Sequence, residues 1–168
     1  MIKKLVLKNW QSHLESVFEF GSGVNGILGV MGSGKSSVLN AICFAFYGTY
    51  PSLSGKKKKI DEVIMNVPNQ MSEASVELMF DIGDCSYSVK RVIRLGRGTI
   101  VNELRRDGKL IEGSNSQRVS ETVEDVIKVD YNLFVQVIYC EQNRMDMFLQ
   151  IPRGQRMQRI DELLKIKK

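Results

Sequence analysis

The chain opens on alternation. Apolar and polar residues take turns from Ile2 to Lys8 and again from Ser16 to Phe20, the period of a half-buried strand, and a polar turn at Gln11-Ser12-His13 separates the two runs. A third apolar run, Val24 to Leu28, reads as a strand leading into Gly29-Val30-Met31-Gly32-Ser33-Gly34-Lys35-Ser36. The period then changes. Val38, Leu39, Ile42 and Phe46, with Ala41 and Ala45 between them, recur at helical spacing until Gly48 and Pro51 end the pattern. Residues 48–59 read as a loop carrying the lysine run Lys56 to Lys59, followed by a short helical piece over Asp61 to Asn66.

Alternation returns in the middle of the chain and predicts an antiparallel region. Ala74, Val76, Leu78 and Phe80 alternate with polar residues, Gly83-Asp84 offers a turn, and Tyr87, Val89 and Arg91-Val92-Ile93 continue on the other side. A further strand over Thr99 to Leu104 turns at Asp107-Gly108 into Lys109-Leu110-Ile111. Val119, Val123, Val126 and Ile127 then place a helix over Ser116 to Ile127, and an apolar run from Phe134 to Tyr139 meets a polar break at Glu141-Gln142-Asn143-Arg144. After Pro152 helical spacing runs to Lys168, with Met157, Ile160, Leu163 and Leu164 on one stripe and Arg153, Arg156 and Arg159 on another. No helix-ending residue follows, as in a longer helix cut part-way. The division expected is a lobe over 1–150 and the start of a long helix over 151–168.

Composition narrows the classes. With 168 residues and 43% hydrophobic content the chain can bury one core, and 26% charged residues argue against disorder. No apolar run approaches the roughly 18 residues that cross a membrane, and the N-terminus lacks the apolar stretch of a secretion signal. The expectation is a chain inside the cell: cytoplasmic or nucleoid-associated, or nuclear in a eukaryote, with no membrane partner. Three cysteines, Cys43, Cys85 and Cys140, are too scattered for a disulfide framework or paired metal ligands, and Cys43 and Cys140 read as reduced core residues. His13 is the single histidine, which removes zinc sites and Ser-His-Asp triads from consideration. A net charge of +5 permits a polyanionic partner without demanding one.

The chemistry is concentrated at Gly29-x-x-x-x-Gly34-Lys35-Ser36, which meets the phosphate-loop pattern at every fixed position and lies between an apolar run and an amphipathic helix. Gly32 and Gly34 let successive amides converge on an anion, Met31, Ser33 and Ser37 complete the lining, and the helix start adds partial positive charge. Lys35 is placed to reach the β- and γ-phosphates, and the Ser36 hydroxyl to ligate magnesium. The expected ligand is ATP with Mg2+. The bland alternative, a glycine-rich turn with a chance lysine, fits poorly with so complete a pattern.

The pattern is shared by kinases, GTPases, helicases and ABC-type ATPases. No guanine-reading Asn-Lys-x-Asp occurs, and a long antiparallel region directly after the first helix is unusual for small-molecule kinases. In Lys8-Asn9-Trp10-Gln11-Ser12-His13, in Gly32-Ser33-Gly34-Lys35-Ser36-Ser37, in Asn40-Ala41-Ile42 and in Ile138-Tyr139-Cys140-Glu141-Gln142-Asn143-Arg144-Met145-Asp146, the chain resembles the N-terminal half of the ATPase head of the SMC-like ATPases of DNA double-strand-break repair (Rad-fifty type, archaeal in flavour). The resemblance covers nearly the whole chain. It implies an α/β P-loop NTPase of the ABC/SMC head type, with a mixed nucleotide-binding core, a flanking antiparallel sheet and a C-terminal helix as the root of a coiled coil.

The resemblance implies roles as well. Gln142, in the position of a glutamine that follows a buried strand, would help place magnesium and the attacking water beside Lys35. Ser12, like His13 next to it, would lie against the nucleotide, or else form a polar strand turn; Ile64, Met65 and Asn66 would touch the nucleoside, or else pack a short helix. Two positions depart from the family: Gln11 stands where an arginine or lysine commonly touches phosphate, and Met31 replaces the usual asparagine. The signature serine loop, the catalytic glutamate and the switch histidine belong to the second half of such heads. Leu53-Ser54-Gly55-Lys56 lacks the second glycine of a signature loop, and Leu78-Met79-Phe80-Asp81-Ile82 carries isoleucine where the glutamate belongs.

The partners implied are the C-terminal half of the same head, a second head in a homodimer closed over sandwiched ATP, a nuclease subunit and double-stranded DNA. Lys56 to Lys59, the Arg91, Arg94 and Arg97 series, and Arg105-Arg106 with Lys109 are the candidate phosphate contacts, against the plainer reading of solvated loops and polar strand faces. Two rivals share the core: the head of another SMC-class or recombination-mediator protein, and a clamp that holds ATP without turning it over.

Overall fold

In the computed structural model, residues 1–55, 58–139, 152 and 154 are described. They belong to two compact units, Met1–Val126 and Ile127–Lys168. The first unit contains β1 (Ile2–Trp10), β2 (His13–Glu19), α1 (Lys35–Tyr47), a one-turn α2 (Pro51–Ser54), a 3-10 turn over Ile60–Val63, then β3 (Glu73–Ile82), β4 (Cys85–Arg94), β5 (Gly98–Arg106), β6 (Lys109–Glu112) and α3 (Ser116–Ile127), whose last residue belongs to the second unit. One six-stranded sheet runs in the order β2-β1-β3-β4-β5-β6, antiparallel at every pairing.

Period-two patterning sets the register. Leu5 and Leu7 of β1 stand opposite Leu78 and Val76 of β3, and Leu78 stands opposite Val89 of β4, so one face of the sheet is a continuous apolar surface. α1 lies on that face. Its Val38, Ala41, Phe44 and Ala45 are almost wholly buried, and each large apolar side chain removed from water contributes about 1.5–3 kcal/mol. The helix ends where Gly48 takes a left-handed φ of 68° and donates its N–H to the Phe44 carbonyl. Cys43 lies in this core, and burial pushes its thiol up to about 12, so it behaves as a small apolar residue.

The opposite face of the sheet is polar and balances its own charge. Lys4 pairs with Glu19, Lys8 with Glu15, Arg94 with Glu73 and Arg105 with Glu103. Such exposed pairs add little stability, but they leave the face close to neutral.

Two expected strands are not strands. Val24 to Leu28 joins none of the described ladders, and Val24 and Leu28 are 102% and 96% exposed. An extended apolar segment becomes a strand only when a neighbour accepts its backbone hydrogen bonds, and no described strand runs beside it. The mixed core expected around the phosphate loop is therefore not formed among the described residues. In the second unit, Phe134 to Tyr139 follows a helical turn, α4 (Tyr131–Leu133), and coils on as a π turn over Phe134–Ile138. Asp130 starts it by accepting the Leu133 amide at 2.9 Å, and the Tyr139 amide closes on the Phe134 carbonyl at 2.7 Å. A short apolar run fits a buried strand or a buried helix equally well, and here the cap decides.

Candidate functional site

The phosphate loop takes its shape from local sterics. A Cβ on Gly29 would come within 2.6 Å of the Ser33 hydroxyl, which folds back over it, and Ser33 donates its amide to the Val30 carbonyl at 3.2 Å. Gly34 is the N-cap of α1 with φ 88°, and its carbonyl accepts the amides of Ser37 at 2.9 Å and Val38 at 3.3 Å. The turn between β1 and β2 fills the space where a Gly34 side chain would be: a Cβ there would overlap the Ser12 hydroxyl and lie 2.7 Å from His13 Nε2. Gly34→Ala therefore combines a left-handed alanine with a clash. We expect a folded chain that has lost measurable ATP binding, checked by titrating ATP into the variant.

Lys35 Nζ donates to the carbonyls of Gly29 at 2.8 Å and Val30 at 2.7 Å, across the mouth of the loop. An ammonium held by two neutral oxygens at the exposed head of a helix can exchange them for phosphate oxygens, which carry full charge. Ser36 is exposed beside it, its hydroxyl open to a cation; Met31, Gly32 and Ser33 form the exposed lip. Ser37 differs: it is 8% exposed, and its carbonyl accepts the Trp10 indole N–H at 3.0 Å. Trp10 is fully buried against Phe44 and Tyr50, so the β1–β2 hairpin is riveted to the first turn of α1.

The remaining sequence candidates are placed as follows. Ser12 and His13 meet the loop at Gly34. Gln11, with φ 50°, gives its side-chain amide to the Tyr50 hydroxyl at 3.0 Å. Burial is the main cause that pushes that phenol up to about 12. Ile64 and Met65 are buried, since Gln11 donates its amide to Val63 and Met65 donates to Asn9, while Asn66 is exposed. Gln142 and the helix expected over 151–168 lie outside the described residues.

Among the candidate DNA contacts, Arg91 is corrected. It is 0% exposed, and its guanidinium donates to the Ala45 carbonyl at 2.8 Å, the Phe46 carbonyl at 3.2 Å, Asn102 Oδ1 at 2.8 Å, and the hydroxyls of Ser116 at 2.8 Å and Ser120 at 3.0 Å. Burial pulls its pKa down to about 10, which leaves it charged at neutral pH. It locks the C-terminal end of α1 to β5 and α3 and presents nothing to a polyanion. Arg94, Arg105 and Arg106 face carboxylates, leaving Lys58, Lys59, Arg97 and Lys109 as exposed cations of those clusters among the described residues. The signal for Arg91 lay in the alternation, which puts it on one face with Val89 and Ile93.

The AAA domain family matches residues 4–168. The chain belongs to that family. It is 30% identical over 166 residues to the DNA double-strand break repair Rad50 ATPase of Methanocaldococcus jannaschii, spanning 99% of this chain and 15% of that protein. Against the corresponding ATPase of Thermoplasma volcanium it is 30% identical over 168 residues, spanning 99% of this chain and 18% of that one. The chain thus covers less than a fifth of the curated relatives' length and corresponds to the N-terminal portion of their head. Among solved structures, the recombination mediator protein RecF, as RecF-ATP, overlays with a TM-score of 0.53 at 18% identity, over 70% of this chain and 29% of that one. An SMC head domain from Thermotoga maritima overlays with a TM-score of 0.50 at 24% identity, over 76% of this chain and 41% of that one. These two likenesses establish the shared fold of a P-loop ATPase head.

Proposed function

We propose that this chain is the N-terminal lobe of an ATP-binding and ATP-hydrolysing head in a DNA double-strand-break repair complex. The observation that carries the reading is Lys35, poised across Gly29 and Val30 at the head of α1. The loop amides and Lys35 take the triphosphate, and Ser36 with Gln142 holds magnesium. Magnesium, when bound, adds positive charge at the transferring phosphoryl group. Lys35 neutralises charge on the same group, and Gln142 orients the attacking water.

The bare apolar segment Val24–Leu28 supports a second half-head as partner, because its backbone and side chains then gain neighbours. Two such heads close over two ATP molecules, and their spacing regulates a nuclease subunit and the tethering of double-stranded DNA. The stripe after Pro152 begins the coiled coil that joins the two halves, and the complex acts in the cytoplasm, on the nucleoid, or in a nucleus. DNA contact falls to Lys58, Lys59, Arg97 and Lys109, and is non-specific and weakened steeply by salt.

Phosphate release from MgATP, measured with and without the complementary half of the head, tests the reading. Turnover that requires both halves supports it. ATP binding without turnover in the complete head leaves a clamp in place of an enzyme.

A further inference from the structure

We infer that one rim of the first unit, carrying Lys58, Lys59 and Arg97, is the surface on which this chain takes the phosphate backbone of double-stranded DNA. The inference rests on the DNA reading above and gives it a place. Lys58 and Lys59 lead into the 3-10 turn over Ile60–Val63, and Arg97 stands at the tip between β4 and β5, far away in sequence. Asp61 joins the two segments, because its Oδ1 accepts the Gly96 amide at 3.1 Å. Lys59 lies two residues from that bond and Arg97 one. The backbone therefore holds them within about 15 Å of each other, a span of about four nucleotides along one strand.

Exposure and pairing mark out these three cations. All are exposed, and none forms an ion pair among the described residues, whereas Lys4, Lys8 and Arg94 on the sheet face are paired. The two carboxylates of the turn are engaged by backbone amides, Asp61 by that of Gly96 and Glu62 by that of Lys59 at 3.1 Å. A phosphate arriving at the rim thus meets cations that give up no ion pair to reach it. Lysines meet phosphate as point charges and read no base, so binding along such a rim is independent of sequence.

Position adds to this. Val63 accepts the Gln11 amide at 2.7 Å and Met65 donates to Asn9 at 2.8 Å, so the same segment is fixed to the strand end that leads into Ser12 and His13 over Gly34. The rim therefore lies at the phosphate-loop end of the sheet. Lys109 lies at the other end. β5 runs from Gly98, beside Arg94, to Arg106, beside Lys109, and its 9 residues separate the two ends by about 27 Å. The three clustered cations place the duplex beside the nucleotide, and Lys109 stands apart from them as a lone contact.

The test titrates the full chain into a fluorescently labelled duplex of about 30 base pairs and follows anisotropy between about 50 and 200 mM salt. Lys58→Gln, Lys59→Gln and Arg97→Gln are combined in one variant; all three positions are exposed, where such changes leave the melting temperature nearly unaltered. We expect the slope of log affinity against log salt to fall by about 2.5–3, and the affinity at the lowest salt to fall about tenfold or more. A slope within about half a unit of the parent's overturns the inference, while the parent's own binding keeps the DNA reading. A parent chain that leaves the duplex unbound at low salt overturns both. Binding to anionic lipid vesicles through the same residues, with the duplex ignored, gives the rim to a membrane and also overturns both. The unaltered chain supplies a second measurement. Amide resonances of residues 58–62 and 95–98 are expected to shift as duplex is added. Shifts at 83–84 and 107–109 in their place put the DNA at the far end of the sheet and overturn the inference.

Discussion

Lys35→Ala is expected to weaken MgATP binding by at least a hundredfold while leaving the chain folded. The two halves of that expectation come from different contacts. On the binding side, the ammonium exchanges two neutral carbonyls for oxygens of the β- and γ-phosphates. A hydrogen bond between charged groups is worth about 1.5–3 kcal/mol, and two of them amount to a hundredfold or more in affinity. On the folding side, what the side chain holds in the absence of nucleotide is a pair of exposed carbonyls at Gly29 and Val30, which water satisfies once the lysine is gone. Surface changes of that kind shift stability by about 0.5 kcal/mol or less. Calorimetric titration with MgATP, beside a thermal melt of each protein, reads both quantities. A variant that binds ATP as tightly as the parent chain would refute the phosphate-loop assignment.

The parts of the fold legible in the sequence are those governed by local rules. Alternation gave β1, β3, β4 and β5 because each buries one face, and Asp107-Gly108 and Gly83-Asp84 fixed two hairpins through turn chemistry. The phosphate loop was legible because its fixed residues answer short-range sterics at Gly29 and Gly34. What escaped the reading depends on distant partners. Val24 to Leu28 has the composition of a strand, yet composition cannot supply the neighbouring backbone that makes one. Phe134 to Tyr139 was settled by one aspartate cap. The antiparallel bridge between Trp10 and Ile64 joins segments far apart in the chain and leaves no periodic trace, so the packing of Ile64 and Met65 was open to two readings. Arg91 was misjudged for another reason: its charge was weighed above its register, although every second residue around it points into the core.

Arg91→Met is expected to destabilise the first unit by about 3–5 kcal/mol, and the reason is what methionine leaves behind. Replacing a buried charge by an apolar side chain of similar length can be neutral when its partners are replaced as well. Here two partners are backbone carbonyls, of Ala45 and Phe46, that no side-chain change removes. They stand at the C-terminal end of α1, where the helix dipole already favours a cation. Asn102 Oδ1 and the hydroxyls of Ser116 and Ser120 lose their donor at the same time. Left unsatisfied, each buried group costs about 1–3 kcal/mol, which outweighs the gain from no longer desolvating a guanidinium. Arg91→Lys falls between, since an ammonium reaches only part of a set of oxygens arranged around a planar fork. For a chain of this size the loss corresponds to a drop in melting temperature of about 10 °C, readable by circular dichroism. A melt within about 2 °C of the parent chain would mean that water or a rearranged α3 replaces the guanidinium, and that α1 is not held at its far end as the five bonds imply.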